Sequence, residues 1–137
     1  MQTNPAEQKF RGYAGIVRNT LLVLNDNALY KRRYGRGVRR FLCNSPHWQY
    51  AALIIMEEGS LRIDAVANEP KMNLRKEALG WDGFVEMDSG LFVALITDRL
   101  SLFGVTTKWL TGRVKLKGIF KLIVLWDVFL LLKGKIA

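Results

Sequence analysis

The sequence predicts an α+β fold, a mostly antiparallel sheet covered by helices on one face. Three observations carry the prediction. Residues 49–68 read as a hairpin, helical stretches are grouped on either side of the strands, and no β-α-β run recurs. The 137 residues suit one domain, and half of them are apolar, enough for a sizeable core. That domain divides into a basic helical part over 1–47 and a part over 48–137 holding the sheet, the later helices and a closing helix.

Phe10, Tyr13, Ala14, Val17, Leu21, Leu22 and Leu24 recur at three- and four-residue steps, so 5–24 is expected to be helical. Pro5 suits its first turn and Asn4 its cap. A second helix runs from Asn25 or Asn27 to about Tyr34. The glycines of Y-G-R-G-V-R-R (34–40) then loosen the chain, and N-S-P-H (44–47) is a turn.

Tyr50–Met56 is apolar on both faces, which places it inside the sheet with cover on both sides. After E-E-G-S comes an alternating strand, with Leu61, Ile63, Ala65 and Ala67 on one face and Arg62 and Asp64 on the other. Residues 68–80 read as a loop with room for a helical turn around Met72–Leu79. W-D-G-F-V-E-M (81–87) is a third strand, and Asp88 or Ser89 can cap the apolar helix 91–100. Phe103 to Gly112 is expected to hold a second short helix, begun by Thr106 or Thr107. R-V-K-L-K (113–117) alternates as a fourth strand, and Gly118 frees the chain to turn into the last helix.

That last helix, I-F-K-L-I-V-L-W-D-V-F-L-L-L-K over 119–133, is apolar nearly all round. Fifteen helical residues reach only about 22 Å, and a span needs about 20 residues. Lys121 and Asp127 interrupt the run, so a transmembrane reading is disfavoured. A helix lying on one sheet needs only an apolar stripe. The surplus is expected to meet a partner chain, a membrane surface or an apolar ligand.

Charge narrows the partners. The net charge is +9, and the first fifty residues carry nine Lys/Arg against two acids. The run K-R-R-Y-G-R-G-V-R-R (31–40) can meet anionic lipid or nucleic acid, or simply be a solvated face. Aromatic interleaving around it is thin, which makes nucleic acid the weaker partner. The single cysteine, Cys43, permits no intrachain disulfide and fits a reducing, cytoplasmic compartment. The first residues lack the apolar stretch of a signal peptide.

Catalysis finds little support. Cys43 and His47 have helical spacing, but Pro46 lies between them and no third group is identifiable. One Cys and one His do not make a zinc shell, and no phosphate-binding glycine motif is complete. No catalytic residue, metal or cofactor is assigned.

Residues 81–133 carry a pattern. W-D-G-F-V-E-M-D-S-G-L-F-V-A-L-I-T is followed by K-W-L-T-G-R-V-K-L-K-G and a terminal apolar helix. This order, with Gly112–Gly118 matching a G-[KR]-[VL]-K-[IVL]-x-G final strand, resembles the sterol carrier protein-2 (SCP-2) family. With the hairpin and its glycine turn at Gly59 the resemblance covers about 50–133. It departs in a longer segment over Thr97–Thr111 and a bulkier closing helix bearing Trp126 and Phe129.

The resemblance implies a five-stranded sheet, of which the sequence places four strands, with helices enclosing an apolar tunnel. It also implies non-enzymatic binding of a fatty acid, fatty acyl-CoA, sterol or isoprenoid, or phospholipid. The expected lining is Phe92, Leu95, Ile96, Phe103, Trp109, Phe120, Ile123, Val124 and Phe129. Each of these can equally be core. Arg32, Arg33, Arg36, Arg39 and Arg40 are the expected contacts to an anionic membrane or head group. Two rival readings stay open: an interaction module pairing through the apolar closing helix, and a basic nucleic-acid-binding domain.

Overall fold

The computed structural model describes residues 8–97 and 102–132; the side chains of Leu102 and Phe103 are outside this description. Asn4 and Pro5, and the helix start assigned to them, lie outside the described residues. Helix α1 spans Tyr13–Leu21 and continues as a 3-10 turn over Leu22–Asp26. The expected helix over 5–24 is thus interrupted at Gly12, whose backbone (φ −109°, ψ −135°) leaves the helical region. Tyr13, Ala14, Val17 and Leu21 form its buried stripe. Helix α2 (Ala28–Arg33) is capped by Asn27, whose side chain accepts from the Tyr30 amide at 2.8 Å.

The fifth strand is β1, Val38–Asn44. It lies inside the stretch expected to be helical and loose, so the boundary at residue 47 does not separate helices from sheet. The other strands are β2 (Tyr50–Glu57), β3 (Ser60–Ala67), β4 (Gly83–Met87) and β5 (Val114–Lys117). Their order is β3-β2-β1-β4-β5, which makes β1 the central strand. Every pairing is antiparallel except β1 with β4. The β2–β3 hairpin turns through Glu58 (φ 50°) and Gly59 (φ 83°), the paired left-handed residues of a tight two-residue loop.

The sheet separates two cores. On one face Phe41, Cys43, Ala52, Ile54, Met56, Val85, Met87 and Val114 meet α1, α2 and the later helices. On the other, Leu42, Leu53, Ile55 and Phe84 meet Leu74 and Trp81. That second cover comes from a 3-10 turn (Lys71–Leu74) and the short helix α3 (Lys76–Leu79), within the expected loop. Tyr50–Met56 is accordingly flanked on both faces, as its unbroken apolar run predicts.

Asp88, not Ser89, caps helix α4 (Ser89–Ile96), accepting from the Gly90 amide at 2.8 Å. Helix α5 spans Leu102–Leu110, beginning before the threonines expected to start it. Helix α6 spans Ile119–Leu132. Gly118 makes the turn into α6 at φ 70°, and a side chain there would strike the Asp82 carbonyl. Gly83 lets α6 approach β4, since a Cβ would stand 2.6 Å from Leu122.

Candidate functional site

A cavity of about 330 Å³ lies between the sheet and helices α4, α5 and α6. Its floor is one rung of the sheet. The register pairs Cys43 with Val85 and Val85 with Leu116, so three consecutive strands present these side chains together. Met87 extends the floor along β4. Phe92 and Leu95 come from α4, and Val105, Thr106 and Trp109 from α5. Helix α6 supplies Ile119, Leu122, Ile123, Leu125, Trp126 and Phe129. Tyr13 reaches in from α1, stacked edge-on against Phe92 at 5.5 Å, and Phe92 meets Phe129 at 6.0 Å.

Five of the nine expected lining residues meet at this cavity: Phe92, Leu95, Trp109, Ile123 and Phe129. Ile96 and Val124 instead pack against the core at its edge. Phe120 is a correction of place, because it is 88% exposed and points away from the interior. Phe103 stands on α5, but its side chain lies outside the described residues. Sequence reading missed the whole floor. The alternation of β4 and β5 carried the signal, since it puts Val85, Met87 and Leu116 on one face.

Two ionisable groups lie in the wall, and burial holds both neutral. It pushes the Cys43 thiol up to about 12. The Tyr13 phenol is raised well above its ordinary value, by burial first and the neighbouring Cys43 second. The Tyr13 hydroxyl is buried without a hydrogen-bond partner among the described residues. A thiol this resistant to ionisation is a poor nucleophile. His47 stands exposed in the turn after β1. Among the described residues no three His, Cys, Asp or Glu side chains gather as a metal site would require.

The five arginines do not form one docking face. Nη1 of Arg33 lies 2.9 Å from both carboxylate oxygens of Asp127 on α6, and the Tyr34 hydroxyl donates to the same carboxylate. Arg33 is therefore a clasp between α2 and α6. Arg39 and Arg40 are consecutive on β1 and point to opposite faces of the sheet. Arg39 lies over the Tyr34 ring at 5.1 Å, while Arg40 reaches toward Gly80 on the other side. Arg32 and Arg36 are exposed.

Comparison with known proteins bears on this architecture. No protein-family model matches the sequence, and no curated protein does. Among solved structures, one described as a UbiJ-SCP2 ubiquinone synthesis protein superposes with a TM-score of 0.60. That match covers 99% of this chain and 100% of the other at 11% identity. Sterol carrier protein 2 from Yarrowia lipolytica, in its apo form, superposes with a TM-score of 0.55, over 88% of this chain and 92% of its own, at 13% identity. The fold is that of sterol carrier protein-2. A match also occurs inside an enzyme, the stereoselective inverting sec-alkylsulfatase Pisa1 from Pseudomonas sp.. There the TM-score is 0.56 at 16% identity, over 83% of this chain and only 15% of the other. In SCP-2 terms, the closing helix is α6, and the cavity lies between it and the sheet. Among the described residues no helix is long and apolar enough to cross a membrane.

Proposed function

We propose that this protein binds a lipid in the α4–α6 cavity and carries it without chemical change. The apolar cavity supports this reading most directly. A volume of about 330 Å³ is within the range of small-molecule sites. Each methylene moved out of water into it gains about 0.8 kcal/mol, so an acyl or isoprenoid chain needs few polar contacts.

Specificity follows from what the wall contains. No charged side chain lines the cavity among the described residues. An ionised head group buried there would go unpaired at high cost. The lipid therefore enters tail first, and a charged head stays at the mouth. Cys43 and Tyr13, both held protonated, support binding over catalysis. The names of the structural neighbours, a sterol carrier protein and a ubiquinone synthesis protein, support a sterol or isoprenoid ligand.

Native mass spectrometry of the purified chain, followed by solvent extraction, tests the reading. A co-purified lipid, or uptake of a fluorescent fatty acid that Leu116→Trp abolishes in a folded protein, is expected. A protein that is empty and takes up no fluorescent fatty acid would refute it.

A further inference from the structure

We propose that the outer face made by the end of α5 and the first turns of α6 docks on an anionic lipid bilayer, bringing the cavity mouth against the membrane. The inference deepens the lipid-carrier reading, on which it rests, by naming where lipid enters and leaves. Leu110, Ile123 and Phe120 are 77%, 64% and 88% exposed, an unusual concentration of large apolar side chains in water. Ile119 and Trp109 are exposed beside them. Trp109, Ile119 and Ile123 also line the cavity, so the exposed patch and the cavity wall are one continuous surface.

Charge selects a membrane as the occupant. From Lys108 to Lys121 the chain carries five Lys/Arg and no acid. Lys115 is drawn to Glu86 at 3.5 Å, and Lys117 lies over the Phe84 ring, on the opposite face of the sheet. Lys108, Arg113 and Lys121 remain, and none has an ion-pair partner among the described residues. Lys108 directly precedes Trp109, Arg113 stands in the turn before β5 and Lys121 directly follows Phe120, so the cations and the patch residues alternate along the same two segments. Apolar side chains interleaved with unpaired cations suit the boundary between acyl chains and anionic head groups. The arginines of 31–40 offer no comparable surface, since Arg33 is engaged by Asp127 and Arg39 and Arg40 face apart.

The test is co-sedimentation of the full chain with phosphatidylcholine vesicles, with and without about one-third phosphatidylglycerol, at low and high salt. Each cation near an anionic surface strengthens binding about fivefold, so binding should need phosphatidylglycerol and weaken steeply with salt. Phe120→Glu, at a side chain that supports no packing, should cut binding at least about tenfold while extractable lipid stays unchanged. Arg32→Glu with Arg36→Glu should alter it far less. Retained lipid with no vesicle binding would overturn the docking proposal and leave the carrier reading standing. Binding lost in the arginine variant but kept in Phe120→Glu would overturn it too. So would a dimer that Phe120→Glu separates.

Discussion

Replacing Asp127 by alanine should destabilise the protein by about 2–3 kcal/mol, although Asp127 sits in an almost wholly apolar helix. Its carboxylate receives Arg33 Nη1 at 2.9 Å on both oxygens and the Tyr34 hydroxyl on one. The Arg33 and Asp127 side chains are 34% and 24% exposed, so solvent screens the pair only in part. A fully exposed pair contributes about 0–1 kcal/mol. A hydrogen bond to a charged acceptor adds about 1.5–3 kcal/mol, and the Tyr34 contact is of that kind. For a chain of 137 residues that sum lowers Tm by about 10 °C. Asp127→Asn keeps an acceptor for Tyr34 but loses the charge, and should fall about halfway. Urea denaturation of Asp127→Ala, Arg33→Ala and the double variant measures the coupling directly. Helix α6 walls the cavity, so Asp127→Ala should also weaken retention of a fluorescent fatty acid. A stability change below about 0.5 kcal/mol, or no coupling with Arg33, would refute the view that this cluster clasps α6 to α2.

Tyr13→Phe should leave stability unchanged or raise it by up to about 1 kcal/mol, because the hydroxyl it removes is buried without a partner among the described residues; thermal melts decide, and a loss above about 1 kcal/mol would mean the hydroxyl has a partner. Alkaline pH should destabilise the native state: the unfolded Cys43 thiol ionises from 9.0 while the folded one holds its proton to about 12. Its contribution is complete below pH 9 and lost between pH 9 and 12, at up to about 1.4 kcal/mol per pH unit, so Cys43→Ala should flatten Tm against pH over that window. Phe92→Ala, which removes a ring packed between Tyr13 and Phe129, should cost about 3–5 kcal/mol in chemical denaturation.

Local chemistry made much of the fold legible. The turn at Glu58–Gly59, a cap at Asp88 or Ser89, and the strand over 113–117 could all be read from the sequence, because each signal is contained within a few neighbouring residues. Strand β1 was not legible in the same way. Arg39 and Arg40 hide its apolar half, Phe41–Cys43, and its parallel partner β4 lies some forty residues downstream. Its antiparallel partner β2 follows at once, and the N-S-P-H turn between them is legible, but the basic first half masks the strand that leads into that turn.

The cavity divides along the same line. The sequence by itself determined that the helix over 119–133 carries more apolar surface than a sheet can cover. Only the tertiary structure decided which part of that surface faces inward. Phe129 closes on Phe92, whereas Phe120, nine residues earlier on the same helix, faces solvent. Only the tertiary structure, too, gave Asp127 its partner, ninety-four residues away. The physical reason is common to both. Hydrophobicity and helical period fix how much surface must be buried, but which side chain meets which is set by register and helix packing between segments far apart in the chain.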